Sequence, residues 1–116
     1  LSGIEWHITG ISDAAGRLVS AADGVRPATI SFGDDGGIAG STGCNRFFGT
    51  GVSHDGAIAL GPLATTMMMC PDDAMMQERR ILAALDAARS WELGGEILRL
   101  SDEEGRIVLE ARASAS

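Results

Sequence analysis

The spacing of glycine and aspartate constrains this chain more than any other feature. Sixteen glycines, four of them beside aspartate, cut much of it into segments of a few residues. Between them apolar and polar residues alternate. A period of two places every second side chain on one face, the pattern of antiparallel strands joined by tight turns. Ile4, Trp6 and Ile8 alternate in a first strand near residues 4–11. Asp13, Gly16 and Asp23-Gly24 read as turns around a short strand at 17–20. Ala28, Ile30 and Phe32 alternate after Pro27, Asp34-Asp35-Gly36-Gly37 reverses the chain, and 38–42 returns as the second arm of a hairpin. Residues 43–49 break the alternation and read as a compact loop. Segments 51–53 and 57–61 flank a turn at His54-Asp55-Gly56, and Pro62 ends that hairpin.

One segment has the other period. Residues 72–89 lack glycine and proline, follow Pro71, and begin with Asp72 and Asp73, where the helix dipole favours negative charge. Met75, Leu82 and Leu85 share a helical face with Ile81 and Ala88 beside it, and Glu78, Arg79, Asp86 and Arg89 fall largely opposite. A helix so one-sided is expected to lie on a sheet. Strands resume at 90–93, 97–101 and 106–111, with turns at Gly94-Gly95 and at 102–105. The order strands, one helix, strands predicts a single α+β domain over residues 1–112, with 113–116 a disordered tail. No internal repeat is evident.

Composition narrows the function. The 116 residues suit one domain with one core. Sixteen acidic side chains oppose nine arginines and no lysine, a net charge of −7. Nucleic-acid binding needs a cationic stripe to displace counterions, and none is visible. The same charge disfavours an anionic membrane surface, and no apolar run is long enough to span a bilayer. The chain opens on Leu1 rather than Met, so the true N-terminus is expected to be absent, and any signal peptide or lipid anchor would have been lost with it.

Few residues could carry chemistry. Cys44 and Cys70 are the only cysteines. As a disulfide they would close a long loop and stabilise a small, mostly aliphatic domain by about 3.5 kcal/mol; two buried free thiols are the alternative. Cys44 as a nucleophile would need His7 or His54 as its base, and nothing local links thiol to imidazole. Zinc ligands at short spacing are missing. Met67-Met68-Met69-Cys70 with Met75 and Met76 offers soft sulfur for copper(I), although methionines also fill irregular cores. Gly37, Gly40 and Gly43 precede no helix that could seat a phosphate. Asp34-Asp35-Gly36 lacks the other ligands of a calcium loop. No catalytic constellation, cofactor or metal site is therefore expected.

The segments Gly40-Ser-Thr-Gly-Cys-Asn-Arg-Phe-Phe-Gly49 and Leu60-Gly-Pro-Leu-Ala-Thr-Thr-Met-Met-Met-Cys-Pro71 resemble the META domain of bacterial heat-shock HslJ-like proteins. The resemblance extends to Leu1–Trp6, to 78–85, and to the closing Leu98-Arg-Leu-Ser-Asp102 with Gly105. It implies a curved antiparallel sheet with one main helix packed on it. It further implies an extracytoplasmic setting (periplasmic, secreted or lipid-anchored through a missing N-terminal segment) and roles in stress response or drug tolerance without established catalysis. Its two motif cysteines fall on Cys44 and Cys70, which supports their pairing, and Asn45 suits a turn of positive φ. The expected function is a non-catalytic module that binds a protein, peptide or apolar ligand. Asn45, Arg46, Phe47, Phe48, Met67, Met68 and Met69 are its candidate surface. Soft-metal binding through the Met/Cys cluster is the alternative.

Overall fold

A computed structural model describes residues 3–21 and 27–113. Among the described residues ten strands and one helix run in the order β1 (Glu5–Ser12), β2 (Leu18–Ser20), β3 (Ala28–Phe32), β4 (Gly37–Thr42), β5 (Arg46–His54), β6 (Ala57–Leu60), β7 (Ala64–Thr65), α1 (Asp72–Ala87), β8 (Ser90–Gly94), β9 (Ile97–Ser101) and β10 (Ile107–Ala113). The expected turn at Asp23-Gly24 and positions 114–116 of the expected tail lie outside the described residues; Ala113 ends β10.

The sheet closes on itself. Neighbours follow the order β10-β9-β8-β6-β5-β4-β3-β1, and β1 then pairs antiparallel with β10, from Trp6 opposite Ala113 to Ile11 opposite Leu109. Eight strands thus form a closed antiparallel barrel, with β2 and β7 appended to β1 and β5. This corrects the expected fold of a curved open sheet carrying a helix on its face. Alternation is identical in an open sheet and a barrel. Closure depends on pairing the first strand with the last, about a hundred residues apart, and no local pattern encodes that.

Eight strands give an interior just wide enough for side chains to fill. Trp6, Ile8, Ile30, Phe47, Leu98 and Leu100 are buried there in one cluster. The helix belongs to the same cluster. It contacts β1, β10, β4 and β6, strands from different parts of the ring, and its buried Ile81, Ala84 and Leu85 join the barrel core. A helix resting on the outer face would touch only adjacent strands. α1 instead completes the interior, and Met75 and Leu82, expected on its core face, are only half-buried. It ends at Ala87 because Arg89 has already entered the sheet ladder, its N–H donating to Ser101 O and its carbonyl accepting from Ile58 N.

Two strands defeat simple alternation. In β5 the expected loop 43–49 gives way to strand from Arg46 onward. Phe47 points inward and Phe48 outward, while the inward positions 49 and 51 are glycines set against Leu63 and against Ile38 and Leu60. With no apolar side chain at those positions, the inner face leaves no mark in the sequence. In β10 a bulge between Ile107 and Leu109 shifts the register, so Val108 and Leu109 are buried in succession and Ile107 is exposed.

A repeat also emerges that the sequence reading missed. Asp13-Ala-Ala-Gly-Arg17 and Asp102-Glu-Glu-Gly-Arg106 build the same turn. In each, the aspartate Oδ1 accepts two backbone N–H groups, from Ala15 and Arg17 at 2.9 Å and from Glu104 and Arg106 at 3.0 and 2.9 Å. Each arginine Nε then reaches the other carboxylate oxygen.

Candidate functional site

The Gly-Cys-Asn turn between β4 and β5 is built around Gly43, whose φ of 97° lies in the left-handed region that a β-carbon disfavours. Thr42 N donates to Asn45 O at 2.9 Å to close the turn, and the Thr42 hydroxyl accepts from Asn45 N at 3.1 Å. Asn45 does not itself take a positive φ, contrary to expectation. Its role lies in its side chain.

Asn45 is buried and uses both ends of its amide across a gap of more than twenty residues. Its Oδ1 accepts from Met68 N at 2.6 Å and from the Thr66 hydroxyl at 2.9 Å. Its Nδ2 donates to Met68 O at 3.3 Å and to Glu78 Oε2 at 3.4 Å. The Thr42 hydroxyl donates to Glu78 Oε1 at 2.8 Å, and Gln77 Nε2 donates to Thr42 O at 3.3 Å. One side chain thereby ties the β4–β5 turn, the methionine segment and the first half of α1 together. Each member satisfies a buried polar group that would cost about 1–3 kcal/mol if left unpaired.

A disulfide joins Cys44 to Cys70 beside this network, with Cα atoms 6.0 Å apart. Cys44 is fully buried, and its sulfur lies 3.8 Å from Met75 Sδ. With both cysteines oxidised, no thiolate remains to serve as nucleophile or soft ligand. Thr42, Thr66 and Glu78 escaped the sequence reading as network members. The two threonines stand inside the motif segments, where a repeated hydroxyl beside Asn and Cys was the available signal. Glu78 was assigned to the polar face of the helix, and its one signal was its place at the start of the matched segment 78–85.

The candidate surface divides. Asn45 and Phe47 are interior and leave it: Asn45 is 2% exposed and Phe47 wholly buried. Arg46 and Phe48 project from the outer face of β5, where β7 runs alongside with Ala64 opposite Phe48. Thr66 N continues the ladder to Arg46 O, so the methionines emerge directly beyond this pair. Met67 and Met69 are 88% and 89% exposed, and Met68, its backbone held by Asn45, is 41% exposed. Phe48 is 53% exposed and Val52, two pleats along the same face, 73%. The arrangement presents large apolar side chains on a strand and loop whose backbone is fixed.

Other concavities carry less. A cleft of about 260 Å³ lies between the twin turns, lined by Asp13, Asp102 and Arg106 among others. Both aspartates are committed within their own turns. The Arg17 N–H holds the Asp13 carboxyl below its usual range, and the Arg106 N–H does the same for Asp102. Among the described residues no group of three or more His, Cys, Asp or Glu could hold a metal ion, and no helix is long and apolar enough to cross a membrane.

A small antiparallel barrel completed by one helix and locked by a disulfide-and-asparagine knot is the class of protein these features define. The META domain profile matches residues 1–115. The chain belongs to the META domain family. A protein from Burkholderia xenovorans solved by NMR is similar at 22% identity and a TM-score of 0.77, over 100% of this chain and 85% of that one. A second NMR structure is 26% identical with a TM-score of 0.71, over 97% and 90%. A DUF4847 family protein from Bacteroides vulgatus is 14% identical with a TM-score of 0.66, over 99% and 95%, a likeness of fold. Comparison with curated proteins finds no match.

Proposed function

We propose that this domain is a non-catalytic binding module of the bacterial envelope, serving in stress response, that docks an apolar segment of another protein or peptide. The observation that carries the reading is the pair of nearly fully exposed methionines, Met67 and Met69, in the segment that follows β7 and is held by the Cys44–Cys70 disulfide and by Asn45, with exposed Phe48 on the strand that β7 pairs with. A pre-fixed surface avoids the entropy of ordering a loop on binding, and methionine adapts its shape to varied apolar partners. The disulfide supports an oxidising compartment outside the cytoplasm.

A photo-crosslinking residue at position 48, compared with one at exposed Arg112, tests this in the native envelope. A discrete adduct at 48 alone, abolished by Met67→Ser with Met69→Ser, is the expected result. Equal adducts at both positions, or none at 48, would overturn the docking role. The soft-metal reading keeps only thioethers as ligands, since both thiols are consumed. Anaerobic copper(I) titration against a chelator checks it: tight binding lost on replacing Met67 and Met69 supports it, and binding indifferent to them removes it.

A further inference from the structure

We infer that Met67 and Met69 form an oxidant-modification site: their thioethers take up oxygen from a peroxide ahead of the other methionines, and the fold stays intact. The five methionines differ sharply in surroundings. Met67 and Met69 are 88% and 89% exposed. Met75 is half-buried, with its sulfur against Cys44. Met68 and Met76 lie between these extremes, at 41% and 46%. Methionine oxidation requires that the oxidant reach the sulfur lone pair, so this ranking sets the order of reaction.

In the step itself the thioether sulfur attacks one oxygen of the peroxide. The O–O bond breaks, an S–O bond forms, and the second oxygen leaves as water after taking the proton. Sulfur is oxidised by two electrons and the peroxide is reduced by two. The thioether becomes a polar, chiral sulfoxide.

In a core that change disrupts packing; here it does not. The two side chains lie on the surface, while the backbone between them is held by bonds independent of either sulfur. Met68 N and O both meet Asn45, and Cys70 is bridged to Cys44. The disulfide also removes the two thiols that would otherwise compete for the oxidant. The segment is thus built to change polarity at fixed geometry. Modification follows from exposure alone; its consequence, a docking surface weakened by oxidation, rests on the proposed function.

The test treats the purified, unreduced domain with a small excess of hydrogen peroxide and follows each methionine by peptide mass spectrometry. Met67 and Met69 are expected to gain oxygen at least about fivefold faster than Met75. The doubly oxidised protein is expected to melt within about 2 °C of the untreated one. The Met67→Leu, Met69→Leu double variant is expected to fold normally and lose the early gain of two oxygens. Met75 oxidised as fast as Met67, or a melting point that drops as the first two oxygens enter, would overturn the proposal. The position-48 crosslink, repeated with the oxidised protein, reads the consequence separately. An adduct that survives oxidation refutes the switching consequence, and an adduct absent from the untreated protein refutes the docking reading; neither outcome touches the modification site.

Discussion

Replacing Asn45 with aspartate changes one NH2 to oxygen and little else in shape, so it isolates what the amide donates. In the native fold Nδ2 gives hydrogen bonds to Met68 O at 3.3 Å and Glu78 Oε2 at 3.4 Å. Asn45→Asp turns both into contacts between acceptors. Losing the two bonds costs about 1 kcal/mol each. Two carboxylate oxygens 3.4 Å apart repel by about 5 kcal/mol at an effective dielectric near 20. Glu78 is half-buried and can swing toward solvent, which relieves roughly half of that repulsion. The net loss is about 3–5 kcal/mol at pH 7, a large share of the roughly 5–15 kcal/mol that stabilises a domain. The melting temperature is expected to fall by roughly 10–20 °C. The new carboxyl also carries a pH signature. Its folded-state proton affinity is raised, so the penalty is absent below its unfolded pKa and grows as pH rises through that value toward the folded one. Urea titrations of both proteins at pH 4 and pH 7 measure this difference. A variant within about 1 kcal/mol of the parent at pH 7, or a gap that does not narrow at pH 4, would refute the assignment of Asn45 as the donor holding these segments together.

Three further outcomes follow from the same structure. Cys44→Ser with Cys70→Ser is expected to lower the urea-derived stability by about 3.5 kcal/mol, through loss of the loop constraint on the unfolded chain, with native circular dichroism retained because Asn45 still holds the segment; a loss under 1 kcal/mol would contradict it. Gly40→Ala drives a β-carbon into the Thr29 carbonyl oxygen and to 2.6 Å from Phe47 Cζ, whereas the β-carbon of Gly94→Ala meets only Arg99 Nη1 at 4.0 Å. Thermal melts are expected to show a loss above about 3 kcal/mol for the first and under about 1 for the second. For Asp13 and Asp102, whose folded pKa values are depressed, the stabilisation is fully present above the unfolded value and is lost as pH falls through the folded one. Acid titration monitored by denaturant midpoint is expected to show a decline below about pH 4 that Asp13→Asn with Asp102→Asn makes shallower, because asparagine keeps the turn's acceptor without titrating.

The sequence by itself determined whatever depends on neighbours along the chain. Alternation and glycine–aspartate turns placed most strands within a residue or two. The run without glycine or proline after Pro71 located α1, and the motif segments brought Cys44 and Cys70 forward as a pair. It placed only the far end of β5, at 51–53, and read 43–49 as a loop, because Gly49 and Gly51 occupy inward positions and exposed Phe48 and Val52 carry the visible apolar pattern on the wrong face. What only the tertiary structure decided is closure and its consequences. Pairing β1 with β10 turns a sheet into a barrel, draws the helix into the core and sets Glu78 against Thr42 and Asn45. It also separates Phe47 from Phe48, adjacent residues that a pleated strand sends one into the core and one to solvent. Side-chain identity reports local preference, whereas burial and partnership depend on contacts between residues tens of positions apart. Asn45 and Met67, alike candidates for a surface when read as sequence, therefore end as the anchor inside the knot and the side chain displayed above it.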